Sequence, residues 1–485
     1  MNRISIAVFL VAIFALNLRT GQSADGAERP NVLFIAVDDL RPELGCYGAR
    51  ALTPNIDRLA RSGVQFDRAY CNQAVCGASR VSLMTGLYPE YTGERTYHVT
   101  DWRKRWAEIV TLNQHFGAHG YTTVGLGKVY HGSSGPGVDP DHWTEWVKVA
   151  GQEYGDPESL KSPRQRNGRT RGPATEGADV PDDTHFDGNR AKVGANRLRQ
   201  LAKGDKPFFL AVGFTKPHLP FVAPQKYWDL YQRDAFSLPG NLSIPPGYPS
   251  YAANVSAGEL RSYNDIPVKG TPAEFPQALN QRLLHGYHAC VSYTDRNIGV
   301  LLDALDASGV ADNTIVVLWA DHGWKLGDHS SWCKHTNFEC DTRVPLVVRH
   351  PGIKSAKGRS SALVELIDLY PTLCELCGLV QPDHVQGRSF VSALKEPSAK
   401  HREFAYSSYP HGRGNGESAV VGHSIRTDRY RYTEWWERNN DKSVDAVLTD
   451  LEADPGETSA VAGETELKAA LAARLREKVL GVRRK

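Results

Sequence analysis

The chain has 485 residues, 41% of them hydrophobic, enough to bury a large core and more than a typical single compact domain holds. Its 57 lysines and arginines nearly balance 55 aspartates and glutamates, so no charge excess draws it to nucleic acid or to an anionic membrane surface. One large and one smaller domain is the expected organisation.

Residues 1–24 carry Arg3, an apolar run from Ile4 to Leu18, and small and polar residues from Gly21 to Ala24. That layout predicts a secretory signal peptide, too short for a membrane span, and so an exported protein without a stable membrane anchor: periplasmic or secreted, or lysosomal in a eukaryote. Export permits disulfides, and the chain has eight cysteines. Cys374 and Cys377 fall in an apolar helical pattern and are expected to be core residues rather than a redox or zinc pair. Cys333 and Cys340 are candidates for a bridge that spacing alone does not decide.

From residue 29 onward, short β-branched runs alternate with helical patterns, predicting an α/β architecture around a largely parallel sheet. The clearest strands are Asn31–Val37, Thr122–Leu126, Pro207–Phe214, Thr314–Ala320 and Val344–Arg349. Thr53-Pro54 opens a helix that Gly63 closes, and a longer amphipathic helix runs from Leu283 to Leu305. Two loop-rich stretches, Gly132–Asp187 and Ser237–Phe275, are candidate walls of a cleft or plain surface insertions. After Pro382 the pattern turns to aromatic-rich strands such as Ser424–Thr433 and a charged helix from Thr465. The expected boundaries are therefore 29–381 for the main domain and 382–485 for a smaller one.

Ligands of open α/β sheets bind beyond the carboxyl ends of the strands. There the sequence places Asp38-Asp39, then Lys128 and His131, then Lys216-Pro217-His218, then Asp321-His322. Carboxylates brought together repel, and a hard divalent ion relieves them; oxygen-rich ligation by Asp38, Asp39 and Asp321 favours calcium or magnesium over zinc, and calcium is taken as the expected ion. Cys76 opens Cys76-Gly77-Ala78-Ser79-Arg80 before a helical run, where free N–H groups and the helix dipole attract an anion. Taken alone, it reads equally well as a structural cysteine.

With these motifs together, the sequence resembles the type I sulfatases of the alkaline phosphatase-like superfamily, in particular their iduronate-2-sulfatase-like branch. The signature is C-x-P-S-R or C-x-A-S-R, here with Ala78. Val37-Asp38-Asp39-Leu40-Arg41-Pro42, Gly127-Lys128-Val129-Tyr130-His131, Lys216-Pro217-His218-Leu219-Pro220-Phe221, Asp321-His322-Gly323-Trp324 and Trp332-Cys333-Lys334-His335 follow in family order.

The resemblance implies a large mixed, mostly parallel sheet flanked by helices, with a smaller C-terminal α+β subdomain. It implies that a maturation enzyme oxidises Cys76 to formylglycine, whose hydrate attacks the sulfur of a sulfate ester and later expels sulfate. It implies one Ca2+ held by Asp38, Asp39, residue 76, Asp321 and His322. Arg80 and Lys128 would stabilise the diol and sulfate, and His131 would orient or deprotonate the diol. His218 and Lys334 would hold sulfate and protonate the departing oxygen, with His218 the preferred acid. A sulfated carbohydrate, such as one with a 2-O-sulfated uronic acid, is the implied substrate. A phosphatase or phosphonate hydrolase on the same scaffold, and an inactive glycan-binding relative, are the rival readings. Trp102, Trp324 and Trp332 are core residues or sugar-stacking walls.

Overall fold

The computed structural model describes residues 29–96, 99, 102–132, 139–166, 169–353, 357–411 and 420–483; the expected leader at 1–24 lies outside them. Eight strands make the main sheet: β1 (Asn31–Val37), β2 (Val64–Tyr70), β3 (Thr122–Gly127), β4 (Glu145–Val147), β5 (Phe208–Phe214), β6 (Thr314–Ala320), β7 (Arg343–Arg349) and β8 (Gly358–Glu365). Their order is β8-β2-β7-β6-β1-β5-β3-β4. Only β7 runs against its neighbours, so the sheet is mixed with one reversed strand. Every residue of β1, β5 and β6 is buried, which explains their unbroken apolar runs: both faces of the sheet centre are covered.

The covering helices are α1 (Pro54–Ser62), α2 (Cys76–Thr85), α3 (Phe186–Leu201), α4 (Gln277–Asp306) and α5 (Leu369–Leu376). Both α1 and α3 pack on α4, whereas α2 and α5 pack on each other. Near the C-terminus, β9 (Ala405–His411), β10 (Val420–Arg426), β11 (Tyr430–Glu437) and β12 (Ser443–Asp450) form a separate antiparallel sheet. Helix α6 (Thr465–Arg483) buries Leu471, Leu475 and Val479 against Tyr406, Ile425, Tyr432 and Trp436 of that sheet.

All five expected strands are present within a residue of their predicted ends. The single strand expected over Ser424–Thr433 is instead parts of β10 and β11, divided at Thr427, whose N–H donates to the Tyr430 carbonyl at 2.8 Å. The long helix starts earlier than its apolar pattern, because the polar first turns of α4 follow Pro276 directly. The stretch Gly132–Asp187, where described, holds short ribbons and the start of α3, whereas Ser237–Phe275 contains only 3-10 turns. All eight cysteines are free, so Cys333 and Cys340 form no bridge; the Cys340 thiol turns to Asp341 Oδ1 at 3.8 Å. Cys374 and Cys377 are in the main core, as expected. Among the described residues no helix is long and apolar enough to cross a membrane.

Candidate active site

Because β7 alone is reversed, β1, β2, β3, β5 and β6 all end at one edge of the sheet. Asp38-Asp39 follows β1, Lys128 and His131 follow β3, His218 follows β5 and Asp321-His322 follows β6. From β2 the chain reaches Cys76, the first residue of α2, a helix in which all ten residues are buried. Lys334 comes just after a two-residue ribbon, Lys325–Leu326 with Trp332–Cys333. The chain turns sharply at Asp39, with φ of 61°, a left-handed conformation that aspartate tolerates better than most residues. Its N–H donates to Asp321 Oδ1 at 3.2 Å, and its carbonyl accepts from the Tyr287 hydroxyl of α4 at 2.9 Å.

The buried carboxylates meet the protein's own cations. Arg80 donates from Nε to Asp321 Oδ2 at 2.9 Å and from Nη2 to Asp38 Oδ1 at 3.0 Å. Its Nη1 donates to the carbonyls of Lys128 and, at 3.0 Å, Val129. Fully buried, Arg80 is a brace that fixes two carboxylates and the segment after β3. Lys128 Nζ donates to Asp38 Oδ2, and Lys334 Nζ donates to both oxygens of Asp39 at 2.7 and 3.0 Å. Burial opposes ionisation of Asp38, but Lys128 and its fellow cations hold it well below the usual carboxylate range. Burial instead dominates at Asp39 and pushes it up to about 7. Internal ion pairs thus relieve repulsion that the sequence reading had assigned to a metal alone.

The donor set nonetheless fits a cation. One ligand atom each from Asp38, Asp39, Cys76 and His322 lie within 4.8 Å of one another. The Cys76 thiol is 3.1 Å from His322 Nε2, which is 3.5 Å from Asp39 Oδ1 and from Asp321 Oδ2. Asp321 adjoins this group, but Arg80 and the backbone N–H groups of Asp39 and His322 occupy its oxygens. Burial, reinforced by Asp38, pushes the Cys76 thiol well above its ordinary value, so its protein neighbours do not poise it as a thiolate.

On the other flank, His218 Nδ1 lies 2.6 Å from the Leu219 carbonyl, leaving Nε2 to face the site, 4.0 Å from both Asp38 Oδ2 and Asp39 Oδ2. Its turn is pinned by Asp187 of α3, which accepts from the N–H groups of Thr215 at 2.9 Å and Lys216 at 2.7 Å. Lys216 itself is structural: its Nζ donates to the Pro220 carbonyl at 2.5 Å. His131 is half-buried, and burial with Lys128 pushes its pKa down to about 3, so it is neutral near pH 7.

One residue here escaped the sequence reading. Glu259, from the Ser237–Phe275 stretch, places Oε1 2.8 Å from His218 Nε2 and Oε2 3.4 Å from Lys334 Nζ. Burial opposes its ionisation, but Lys334 and His218 hold it well below the usual carboxylate range. Its only sequence signal is a lone carboxylate in a stretch that reads equally as a cleft wall or a surface insertion. Trp102, Trp324 and Trp332 are fully buried core residues, and Trp324 lies under Lys334 Nζ, 5.0 Å from its ring centroid.

The family model for sulfatases matches residues 30–379. The chain belongs to the sulfatase family. It is a sulfuric ester hydrolase. A second model, the C-terminal region of N-sulphoglucosamine sulphohydrolase, matches residues 327–485. This sulfatase is 33% identical to human iduronate 2-sulfatase over 494 residues, covering 87% of this chain and 88% of the human protein. It is also 33% identical to a Formosa agariphila sulfatase over 449 residues, covering 88% and 83% of the two chains. Among solved structures, one described as a complex with its substrate D-glucosamine-2-N,6-O-disulfate superposes with a TM-score of 0.72 at 24% identity, covering 94% of this chain and 98% of that one. The phosphonate monoester hydrolase of Agrobacterium radiobacter gives 0.72 at 24% identity, covering 94% and 95%, so the fold is shared beyond sulfatases.

Proposed function

We propose that this sulfatase acts on a sulfated carbohydrate, with a 2-O-sulfated uronic acid as the favoured unit, through formylglycine made from Cys76 by a maturation enzyme. One calcium ion would be held by Asp38, Asp39, residue 76 and His322, with Asp321 beside them. The substrate reading rests on similarity to iduronate 2-sulfatases of human and mouse, at 33% and 32% identity. The observation that carries the chemistry is residue 76: it opens a helix and sits 3.1 Å from His322 within a four-donor cluster.

Oxidation of residue 76 would replace a soft sulfur by oxygen and turn the donor set toward a hard cation. A bound calcium ion would supply the positive charge that makes a neighbouring hydroxyl more acidic. The remaining tasks fall to this chain's own side chains. Residue 76 is the first residue of α2, where the helix dipole favours negative charge. Lys128 and Lys334 stand on either side to hold sulfonyl oxygens, and Arg80 keeps Asp38 and Asp321 in place. Neutral His131 receives a proton at a ring nitrogen, and His218 delivers one from Nε2 to the departing oxygen. The leader at residues 1–24 would send the protein to the periplasm or outside the cell.

Turnover of defined sulfated sugars, an activated aryl sulfate and its phosphate analogue, by protein with formylglycine verified by mass, tests this reading. Release from a 2-O-sulfated uronoside supports it. Release from another sulfated sugar corrects the substrate, and preference for the phosphate ester refutes the sulfate assignment.

A further inference from the structure

The loop from Ser237 to Phe275 has no regular strand or α-helix, yet its centre is firmly held. Leu260 is fully buried, the Arg261 N–H donates to the Ala257 carbonyl at 3.0 Å, and Arg261 Nε donates to the Ser256 carbonyl at 2.8 Å. Ala257 adopts a left-handed φ of 44° two residues before Glu259. Glu259 is therefore presented by an ordered backbone, and its two oxygens bridge His218 Nε2 and Lys334 Nζ.

This flank of the site is partly open to solvent. The Glu259 side chain is 25% exposed, against 16% for His218 and 3% for Lys334, so of the three it is the one most open to solvent. Asp39, His218 and Glu259 also bring ligand atoms within 4.8 Å of one another, as a second metal site would. However, the Lys334 ammonium, within 3.0 Å of both Asp39 oxygens and 3.4 Å from Glu259, already supplies the positive charge between the two acids.

We propose that Glu259 is the positioning residue of the leaving-group side: its carboxylate aims Nε2 of His218 and the Lys334 ammonium at the oxygen that departs from sulfur. The proposal rests on His218 being the acid. With Nδ1 donating to the Leu219 carbonyl, the 2.8 Å contact to Glu259 is a hydrogen bond when Nε2 also carries a proton. As the sulfur–oxygen bond breaks, that proton passes to the departing oxygen and the alcohol leaves. The imidazole becomes neutral, Glu259 stays a carboxylate throughout, and a proton released by the water consumed in hydrolysis restores the acid.

The test uses full-length protein with formylglycine verified at residue 76 and calcium content measured, comparing wild type with Glu259→Gln and Glu259→Asp. The substrates are a sugar sulfate that the wild type turns over and a nitrophenyl sulfate, whose leaving group needs no proton. Glu259→Gln is expected to lower kcat on the sugar sulfate on the order of 100-fold and kcat on the nitrophenyl ester by less than about threefold, with KM little changed. Glu259→Asp is expected to recover part of the loss on the sugar sulfate alone. Equal losses on both esters, or none on the sugar sulfate, overturn the assignment; so does Glu259→Asp losing as much on the nitrophenyl ester as on the sugar, the deciding comparison if Glu259→Gln fails to fold. A wild type that releases sulfate from no sugar sulfate tried and not from the nitrophenyl ester refutes the underlying sulfate-ester reading, and this role with it, before any variant is measured.

Discussion

Gly213→Ala places one methyl group where the sheet touches the site. Gly213 lies near the end of β5, paired with Ala36 of β1 and Gly127 of β3, and its carbonyl accepts from the Lys128 N–H at 2.9 Å. A Cβ here would lie 2.1 Å from the Lys128 carbonyl carbon and 2.4 Å from the Val129 nitrogen, against ordinary contacts from 3.4 Å upward, so the two backbones must separate by about 1.3 Å. Both obstructing atoms are main chain, which cannot rotate away as a side-chain tip can. The displaced segment carries the ammonium that binds Asp38 and both carbonyls that hold Arg80. A misplacement of about 1 Å costs on the order of 100-fold in rate, or about 2.7 kcal/mol of transition-state stabilisation. The strain itself destabilises the fold by about 1–3 kcal/mol. The assay is kcat/KM on a sulfate ester, alongside denaturant unfolding to show that the variant is folded. A folded Gly213→Ala protein within about threefold of wild type would refute the claim that this close approach sets the position of Lys128.

Cys76→Ala is expected to abolish sulfate release with the unfolding transition retained; surviving turnover would remove residue 76 from the chemistry. Arg80→Lys leaves one ammonium for carboxylates that a planar guanidinium now spans, and breaking a buried pair costs about 3–5 kcal/mol. Lower stability together with reduced calcium content is the expected result, and unchanged values for both would contradict the role of brace. At Asp368, burial opposes ionisation, but Arg402 and His401 hold the carboxyl well below its usual range. The stability it contributes is present above the unfolded value of about 3.9 and is lost as pH falls through the lower folded one. Asp368→Asn should therefore be less stable at neutral pH and show a shallower acid limb when unfolding midpoints are measured against pH. An acid limb as steep as wild type would oppose this account.

The converging edge was legible because unbroken apolar runs marked the central strands and polar residues followed each one directly. β2 and β8 were harder to see: β2 is interrupted by Gln65, Asp67 and Arg68, and the first part of β8 is largely exposed. The start of α2 at Cys76 could be read from the pattern around it. The pairing of Asp38, Asp39 and Asp321 with Arg80, Lys128 and Lys334 could not, because it depends on side chains that are 42 to 295 residues apart in sequence. Glu259 stayed hidden for the same reason: no periodicity marks a lone acid in an irregular loop, and only the turn at Ala257 and the burial of Leu260 bring it to His218.

The complete burial of α2 limits when residue 76 could be reached for oxidation. The residue is 3% exposed, and the turns that follow it are buried with it. If residue 76 is oxidised as proposed, the enzyme that does so would have to reach it before the fold closes around α2. On that proposal each molecule would carry for its lifetime whatever side chain it had when it folded. A purified batch would be a fixed mixture of two populations, whose specific activity reports the competition between oxidation and folding during synthesis.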